Sequence, residues 1–326
     1  MNACNKVAAG LVAGISLAAQ VLMLSTEAFA ERKYTDWSPA VHLGCTVNSA
    51  AQDLGPAISK NGLSLYFGSG RAAPDAQGGI DLYVAQRLSL EAPWGSPRNL
   101  GPVVNSPLTD NIPSLSRDGH LMFFNSNRPG GFGDVDLWVA FRDHVHDDFA
   151  WQAPFNLGQG VNSAGFDAGA GYFENDDGGT PLLFFGRGAS QATQETTTDF
   201  FVSELQADRT FGSARLIPEL SSPTGDQRPI IRFDGLEIFF TSNRPGSTPD
   251  ALGALTRDIW VATRNSVHDH WSTPVPLGPA INTGFAEVQA YLSAEGETLF
   301  FSSDRPGGCG GSDLYMSTRT KLKGND

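Results

Sequence analysis

The sequence predicts an all-β fold: a five-bladed β-propeller of four-stranded antiparallel blades, its ring closed by the N-terminal strand. Three observations carry this. One block of residues occurs five times in the 326-residue chain, and a repeat of this size marks a supersecondary unit stacked on copies of itself. Each copy offers four short strand segments separated by Gly- and Pro-rich turns, the pattern of a propeller blade. The two ends of the chain carry complementary parts of one incomplete copy.

The clearest copy runs from Trp94 to Arg142. The block-opening aromatics are Trp37, Trp94, Trp151, Phe211 and Trp271, spaced by 57, 57, 60 and 60 residues. The first strand of each blade is the D-x-x-P-S-L-S stretch, seen at Asp110 to Ser116. Pro56, Pro113 and Pro229 fall inside it, where proline needs a position with no ladder hydrogen bond. The second strand carries an aromatic pair: Tyr66-Phe67, Phe123-Phe124, Phe184-Phe185, Phe239-Phe240 and Phe300-Phe301. Between the two lies a tight-turn signal, Asn61-Gly62, Asp118-Gly119, Gly178-Gly179, Asp234-Gly235 or Glu295-Gly296, which suits the positive φ angles of hairpin turns. The third strand starts at an aspartate, Asp81, Asp136, Asp199, Asp258 or Asp313, and the fourth at the block-opening aromatic. Outside the N-terminal segment no stretch sustains a 3.6-residue apolar period.

After the third strand of the last block only seven residues remain, whereas Trp37 to Leu43 forms a fourth strand with no blade before it. Joining the two completes the fifth blade and removes open sheet edges. The expected organisation is a signal peptide over residues 1–30, one propeller domain over 31–320 and a tail over 321–326. Lys6, the apolar run from Val7 to Leu24 and the small-x-small site Ala28-Phe29-Ala30 are the marks of an export signal. The expected location is periplasmic or secreted, with no membrane span after cleavage, because no later stretch reaches the roughly twenty apolar residues that a span requires.

The formal net charge is −13, and Lys6 and Glu27 cancel if the signal is removed. An acidic surface argues against nucleic acid as a partner and fits cations, neutral glycans or basic protein surfaces. In an oxidising compartment the two remaining thiols, Cys45 and Cys309, are candidates for a disulfide. Ring closure supports this by placing both on one face: Cys45 follows the N-terminal strand, and Cys309 lies between the second and third strands of the last blade. The alternative is two buried thiols.

The blocks D-x-x-P-S-L-S-x-D-G, S-x-R-P-G-G and D-L-W-V-A resemble the WD-type propeller repeats of the TolB C-terminal domain and its exported relatives, over nearly all of the mature chain. Blade one departs at Gly68-Ser69-Gly70-Arg71 and blade three at Gly186-Arg187-Gly188. The resemblance implies a fold and no particular activity.

Two polar sets recur once per blade. Arg71, Arg128, Arg187, Arg244 and Arg305 are expected to fold back onto Asp81, Asp136, Asp199, Asp258 and Asp313 as structural ion pairs. Asp53, Asp110, Asp167, Asp226 and Glu287 open the first strands, which line a propeller's channel. These five acids either cap local turns or ring the channel mouth, where they would form a ligand-binding face and hold a structural calcium ion. No other cofactor is expected. Unequal loops direct attention to this face over blades three and four. The clusters Asp143-His144-Val145-His146-Asp147-Asp148 and His268-Asp269-His270 have metal-ligand spacing, but fall on the opposite face and read as solvated loops.

Uniform repetition of the polar residues points to a non-enzymatic exported module, a monomer that binds a protein or a glycan. The alternative is a glycoside hydrolase of the five-bladed kind, with Asp53, Asp110 and Asp167 as catalytic candidates and Glu287 as proton donor.

Overall fold

A computed structural model describes residues 33–176, 179–193 and 198–323. The expected signal peptide, Gly178 of the blade-three turn and residues 194–197 of the connection between the second and third strands of blade three lie outside the described residues. Five four-stranded antiparallel sheets form a ring. Blade one comprises Asp53–Ile58, Ser64–Ser69, Asp81–Gln86 and Arg98–Asn99. Blade two comprises Asp110–Leu115, Leu121–Ser126, Asp136–Phe141 and Phe155–Asn156. Blade three comprises Phe166–Phe173, Leu182–Gly188, Asp199–Glu204 and Arg215–Leu216. Blade four comprises Asp226–Ile231, Glu237–Ser242, Asp258–Thr263 and Val275–Pro276.

Blade five takes Glu287–Leu292, Thr298–Ser303 and Asp313–Thr318 from the end of the chain and Val41–His42 from its start. Val41 pairs with Met316 and His42 with Tyr315, which closes the ring. A disulfide joins Cys45 to Cys309 beside this seam, with Cα atoms 5.7 Å apart. Among the described residues no helix is long and apolar enough to cross a membrane.

Both residues of each second-strand aromatic pair are buried, because both faces of a blade are covered by neighbouring blades. Side chains alternate between the faces of a strand, so one ring of each pair serves each interface. Fourth strands are only two residues long and begin after the block-opening aromatics. Those aromatics instead lie under arginines from the ends of third strands. Arg87 stacks on Trp94, Arg142 on Trp151, Arg264 on Trp271 and Arg319 on Trp37, at 4.2–4.6 Å. In blade three Leu205 takes the arginine's place and bridges to Phe211.

Every first strand carries a bulge at the same point. The register shifts between Leu54 and Ala57, Asn111 and Ser114, Ala168 and Gly171, Gln227 and Ile230, and Val288 and Tyr291. The first residue of each bulge has positive φ: Gly55, Ile112, Gly169, Arg228 and Gln289. Pro56, Pro113 and Pro229 sit next in line, where the ladder is already interrupted, so their missing N–H costs nothing. The bulges bend the innermost strands and carry these five positions into the centre of the ring.

Candidate functional site

The first-strand acids are fully buried. Each accepts a backbone N–H from its own preceding turn: Asp53 from Ser49, Asp110 from Ser106, Asp167 from Ser163, Asp226 from Ser222 and Glu287 from Thr283. Turn capping is therefore their local role. Each also binds its own blade's arginine. Arg71 meets Asp53 at 2.8 Å, Arg128 meets Asp110 at 2.5 Å, Arg187 meets Asp167 at 2.6 Å, Arg244 meets Asp226 at 2.6 Å and Arg305 meets Glu287 at 3.0 Å.

This corrects the expected pairing with the third-strand aspartates. Asp81, Asp136, Asp258 and Asp313 instead accept N–H bonds from the connection that leads into their own strands, from Gln77, Phe132, Thr248 and Cys309. Asp199 carries a raised pKa from burial, opposed by a hydrogen bond from Ser221. The arginines reach back to the first strand because their second anchor lies there. Each donates Nη2 to a carbonyl ahead of that strand: Val47, Val104, Val161, Leu220 or Ile281. In blades one, two, four and five a serine of the second strand, Ser69, Ser126, Ser242 or Ser303, also binds the arginine Nε. Blade three has Arg187 where the others have that serine, and Arg187 Nε takes the acid directly.

The five acids therefore do not ring the channel with free oxygens. Calcium prefers six to eight oxygen ligands. These carboxylates already face guanidinium and N–H donors, so the five do not fit a shared calcium ion. Burial raises the pKa of Asp167, Asp226 and Glu287 against the pull of those donors. Asparagines in the turns ahead of the first strands are also structural. Asn48, Asn105, Asn162 and Asn282 bind both backbone groups of Leu314, Leu82, Leu137 and Ile259 respectively, clamping a turn to the preceding third strand.

His144, His146, His268 and His270 are exposed on the opposite face. Among the described residues the grouping of metal-ligating atoms is His42, Cys309 and Asp313. The Cys309 sulfur is already bonded to Cys45, so this trio is not a metal centre. Asp148, at the end of the first histidine loop, is buried rather than solvated.

One opening is central. A funnel of about 400 Å³ descends along the ring axis from the face that carries the disulfide, and all five blades line it. Its wall is made by the residues that flank the first-strand acids and end the second strands, and these are not repeated. The position after the acid reads Leu54, Asn111, Ala168, Gln227 and Val288. Carboxamides from Gln52, Asn111, Asn127, Gln191, Gln227 and Gln289 line the funnel. It is centred on the axis rather than over blades three and four.

One carboxylate enters the wall. Asp304 occupies the variable position of the S-x-R-P-G motif, where blades two and four have Asn127 and Asn243. Its Oδ1 accepts the Ala286 N–H at 2.8 Å, as Asn127 Oδ1 accepts that of Thr109 at 3.0 Å. Asp304 is exposed. A second exposed carboxylate, Asp134, lies at the border of blades two and three, which in a five-membered ring is opposite blade five. Its Oδ2 accepts the N–H of the funnel-lining Gln191 at 3.1 Å. Sequence reasoning passed over both. The signal for Asp304 was the single acid in a motif position filled by asparagine in blades two and four and by glycine in blades one and three.

No family model and no curated protein matches the chain. Solved structures share its fold. The catalytic domain of a Coprinopsis cinerea family-62 α-L-arabinofuranosidase has a TM-score of 0.57 at 12% identity, covering 88% of this chain and 98% of its own. The Podospora anserina α-L-arabinofuranosidase in complex with cellotriose has a TM-score of 0.54 at 11% identity, covering 89% and 98%. A family-43 enzyme of Xanthomonas citri complexed with xylotriose has a TM-score of 0.55 at 13% identity, covering 86% and 89%.

These neighbours support the five-bladed fold, and they are glycoside hydrolases rather than TolB-type propellers. They overturn the expectation of a non-enzymatic binding or scaffold module. The physical reason is that the uniform residues behind that expectation are buried scaffold. The funnel wall is the part that departs from symmetry.

Proposed function

We propose that the protein is a glycoside hydrolase that accepts the end of a glycan in its central funnel. Asp304 on the funnel wall and Asp134, which holds the funnel-lining Gln191 on the opposite side, would supply the two carboxyl groups that this chemistry uses. The observation that carries the reading is the funnel itself, with carboxamide walls and an exposed carboxylate where blades two and four have asparagine. Carboxamides both donate and accept hydrogen bonds, which suits the hydroxyl groups of a sugar. Among the described residues no tryptophan lines the funnel, so orientation would come from hydrogen bonds rather than ring stacking. One carboxyl group would protonate the leaving oxygen, and the other would activate water or attack the anomeric carbon. The buried acids Asp53, Asp110, Asp167 and Glu287 would hold the scaffold and not touch substrate. The reading keeps the exported location and a monomeric chain.

The test is release of new reducing ends from arabino-, xylo- and uronic-acid-containing oligosaccharides. Turnover is expected, with a loss of about 10³-fold in Asp304→Asn and a comparable loss in Asp134→Asn, the scale of a missing acid or base. Absence of turnover on the whole panel, or undiminished turnover in Asp304→Asn, would overturn the assignment.

A further inference from the structure

The five bulge positions at the centre of the ring read Gly55, Ile112, Gly169, Arg228 and Gln289, all at positive φ, where a residue with a Cβ is strained. Blades one and three avoid the strain with glycine. Ile112 and Arg228 bear it as structural groups. Ile112 packs against Gly55, where an added Cβ would lie 3.2 Å from its Cγ1. Arg228 crosses the axis, and its Nη2 donates to the carbonyls of Pro56 at 3.0 Å and Pro113 at 3.1 Å. It is 2% exposed, so it closes the floor of the funnel as part of the scaffold.

Gln289 has no comparable partner. Its backbone, at φ of 59°, is fixed by its N–H, which donates to Thr241 Oγ1 of blade four at 2.9 Å. Its side chain lines the funnel and is partly exposed. Ser302 Oγ accepts the Gly55 N–H at 3.0 Å and turns its own proton toward Gln289 Oε1 at 3.5 Å, which is long for a hydrogen bond. That contact directs Oε1 to the wall. Among the described residues the Nε2 group donates to no protein acceptor. Nothing in the fold repays the strain at this residue, and strain of that kind collects where a side chain must be held for a ligand.

We propose that Gln289 contacts the substrate and fixes the terminal sugar of the glycan, with Nε2 donating to a hydroxyl or the ring oxygen of that sugar. The assignment rests on the glycan reading of the funnel. Asp304 holds the Ala286 N–H, three residues before Gln289 on the same blade. That separation is at most roughly 10 Å along an extended strand, room for one sugar ring. The sugar held by Gln289 therefore presents its linkage toward Asp304.

The experiment is titration calorimetry and thermal unfolding of the wild type, Gln289→Gly and Gln289→Ala, with arabinotriose, xylotriose and glucuronate as probes and reducing-end release read separately. At least one probe should bind the wild type, and both variants should bind it about five- to ten-fold more weakly, the scale of a lost hydrogen bond. Gln289→Gly should melt no lower than the wild type, because glycine adopts this φ freely, whereas Gln289→Ala keeps the strain and should melt below the glycine variant. A residue kept for structure gives the opposite order, so a glycine variant that melts well below the wild type or fails to fold overturns the proposal. Undiminished binding in both variants overturns it too and leaves the hydrolase reading standing wherever turnover is seen. Weakened binding in the variants without turnover of any oligosaccharide removes the hydrolase reading and keeps the subsite. A wild type that binds none of the probes overturns the proposal together with the glycan reading.

Discussion

The Asp148 carboxylate of blade two accepts a short hydrogen bond from the Tyr66 hydroxyl of blade one, in the buried interface between them. Asp148 also accepts from Ser64 at 2.5 Å and from Gln86 at 2.7 Å, and lies 3.1 Å from Arg142. Burial, then the Asp148 charge, pushes the Tyr66 pKa well above its usual value. Every donor here belongs to blade one or to Arg142, the arginine stacked over Trp151, so one side chain joins two blades far from the funnel.

Asp148→Ala should therefore destabilise the fold without touching the chemistry. It would leave Arg142, 2% exposed, without its counter-charge, a change worth about 3–5 kcal/mol. Urea unfolding should show that loss. Unchanged stability would show that the network is not cohesive.

Asp110→Ala should behave as a core mutation. It would leave Arg128 unpaired and the Ser106 N–H without its acceptor, for a loss of about 3 kcal/mol or more. Added calcium or EDTA should leave the melting temperature of the wild type unchanged, because these carboxylates are already committed to internal donors. A calcium-dependent rise that disappears in Asp110→Ala would contradict this account.

Reduction of Cys45–Cys309 should lower stability. The two cysteines are 264 residues apart in sequence, for which chain-entropy arguments give roughly 5 kcal/mol as an upper figure. The double Cys→Ser variant should melt below the oxidised parent, and reductant should leave its melting temperature unmoved.

Acid should be tolerated. Burial raises the carboxyl pKa values of Asp167, Asp226 and Glu287 in the fold. Such groups bind protons more tightly folded than unfolded. Their contribution is complete below the ordinary carboxylate range and is lost as pH rises through the shifted values. Asp234 acts in the opposite sense. Burial would raise its pKa, but hydrogen bonds from Arg232 and the Leu236 N–H outweigh that and lower it, so its contribution fades as pH falls through the lowered value. Burial likewise raises the pKa values of Glu174, Asp199 and Asp258, and hydrogen bonds from Thr210 lower that of Asp208. The raised groups outnumber the lowered, and with a net charge of −13 relieved by protonation they predict a melting temperature at pH 5 at least equal to that at pH 7. A calorimetric series that falls steadily from pH 7 to pH 5 would refute this.

The number of blades, the four strands in each and the closure of the last by the segment from Trp37 to Leu43 follow from the sequence alone, whereas its narrowing to the paired Val41–His42 is seen only in the structure. A repeat states its architecture several times over, and turn glycines such as Gly62 and Gly119 mark each hairpin directly. The destination of the arginines was not legible. Sequence spacing permits Arg71 to reach either Asp81 or Asp53, and the choice falls to Asp53 because the Val47 carbonyl lies beside it in space. The funnel was hidden for the same reason. Asp304 and Gln191 are far apart along the chain, and only the bulged first strands and the order of blades around the ring bring them to one funnel. Local periodicity determines what each segment becomes, whereas the site depends on which non-repeating side chains the closed ring turns toward its axis.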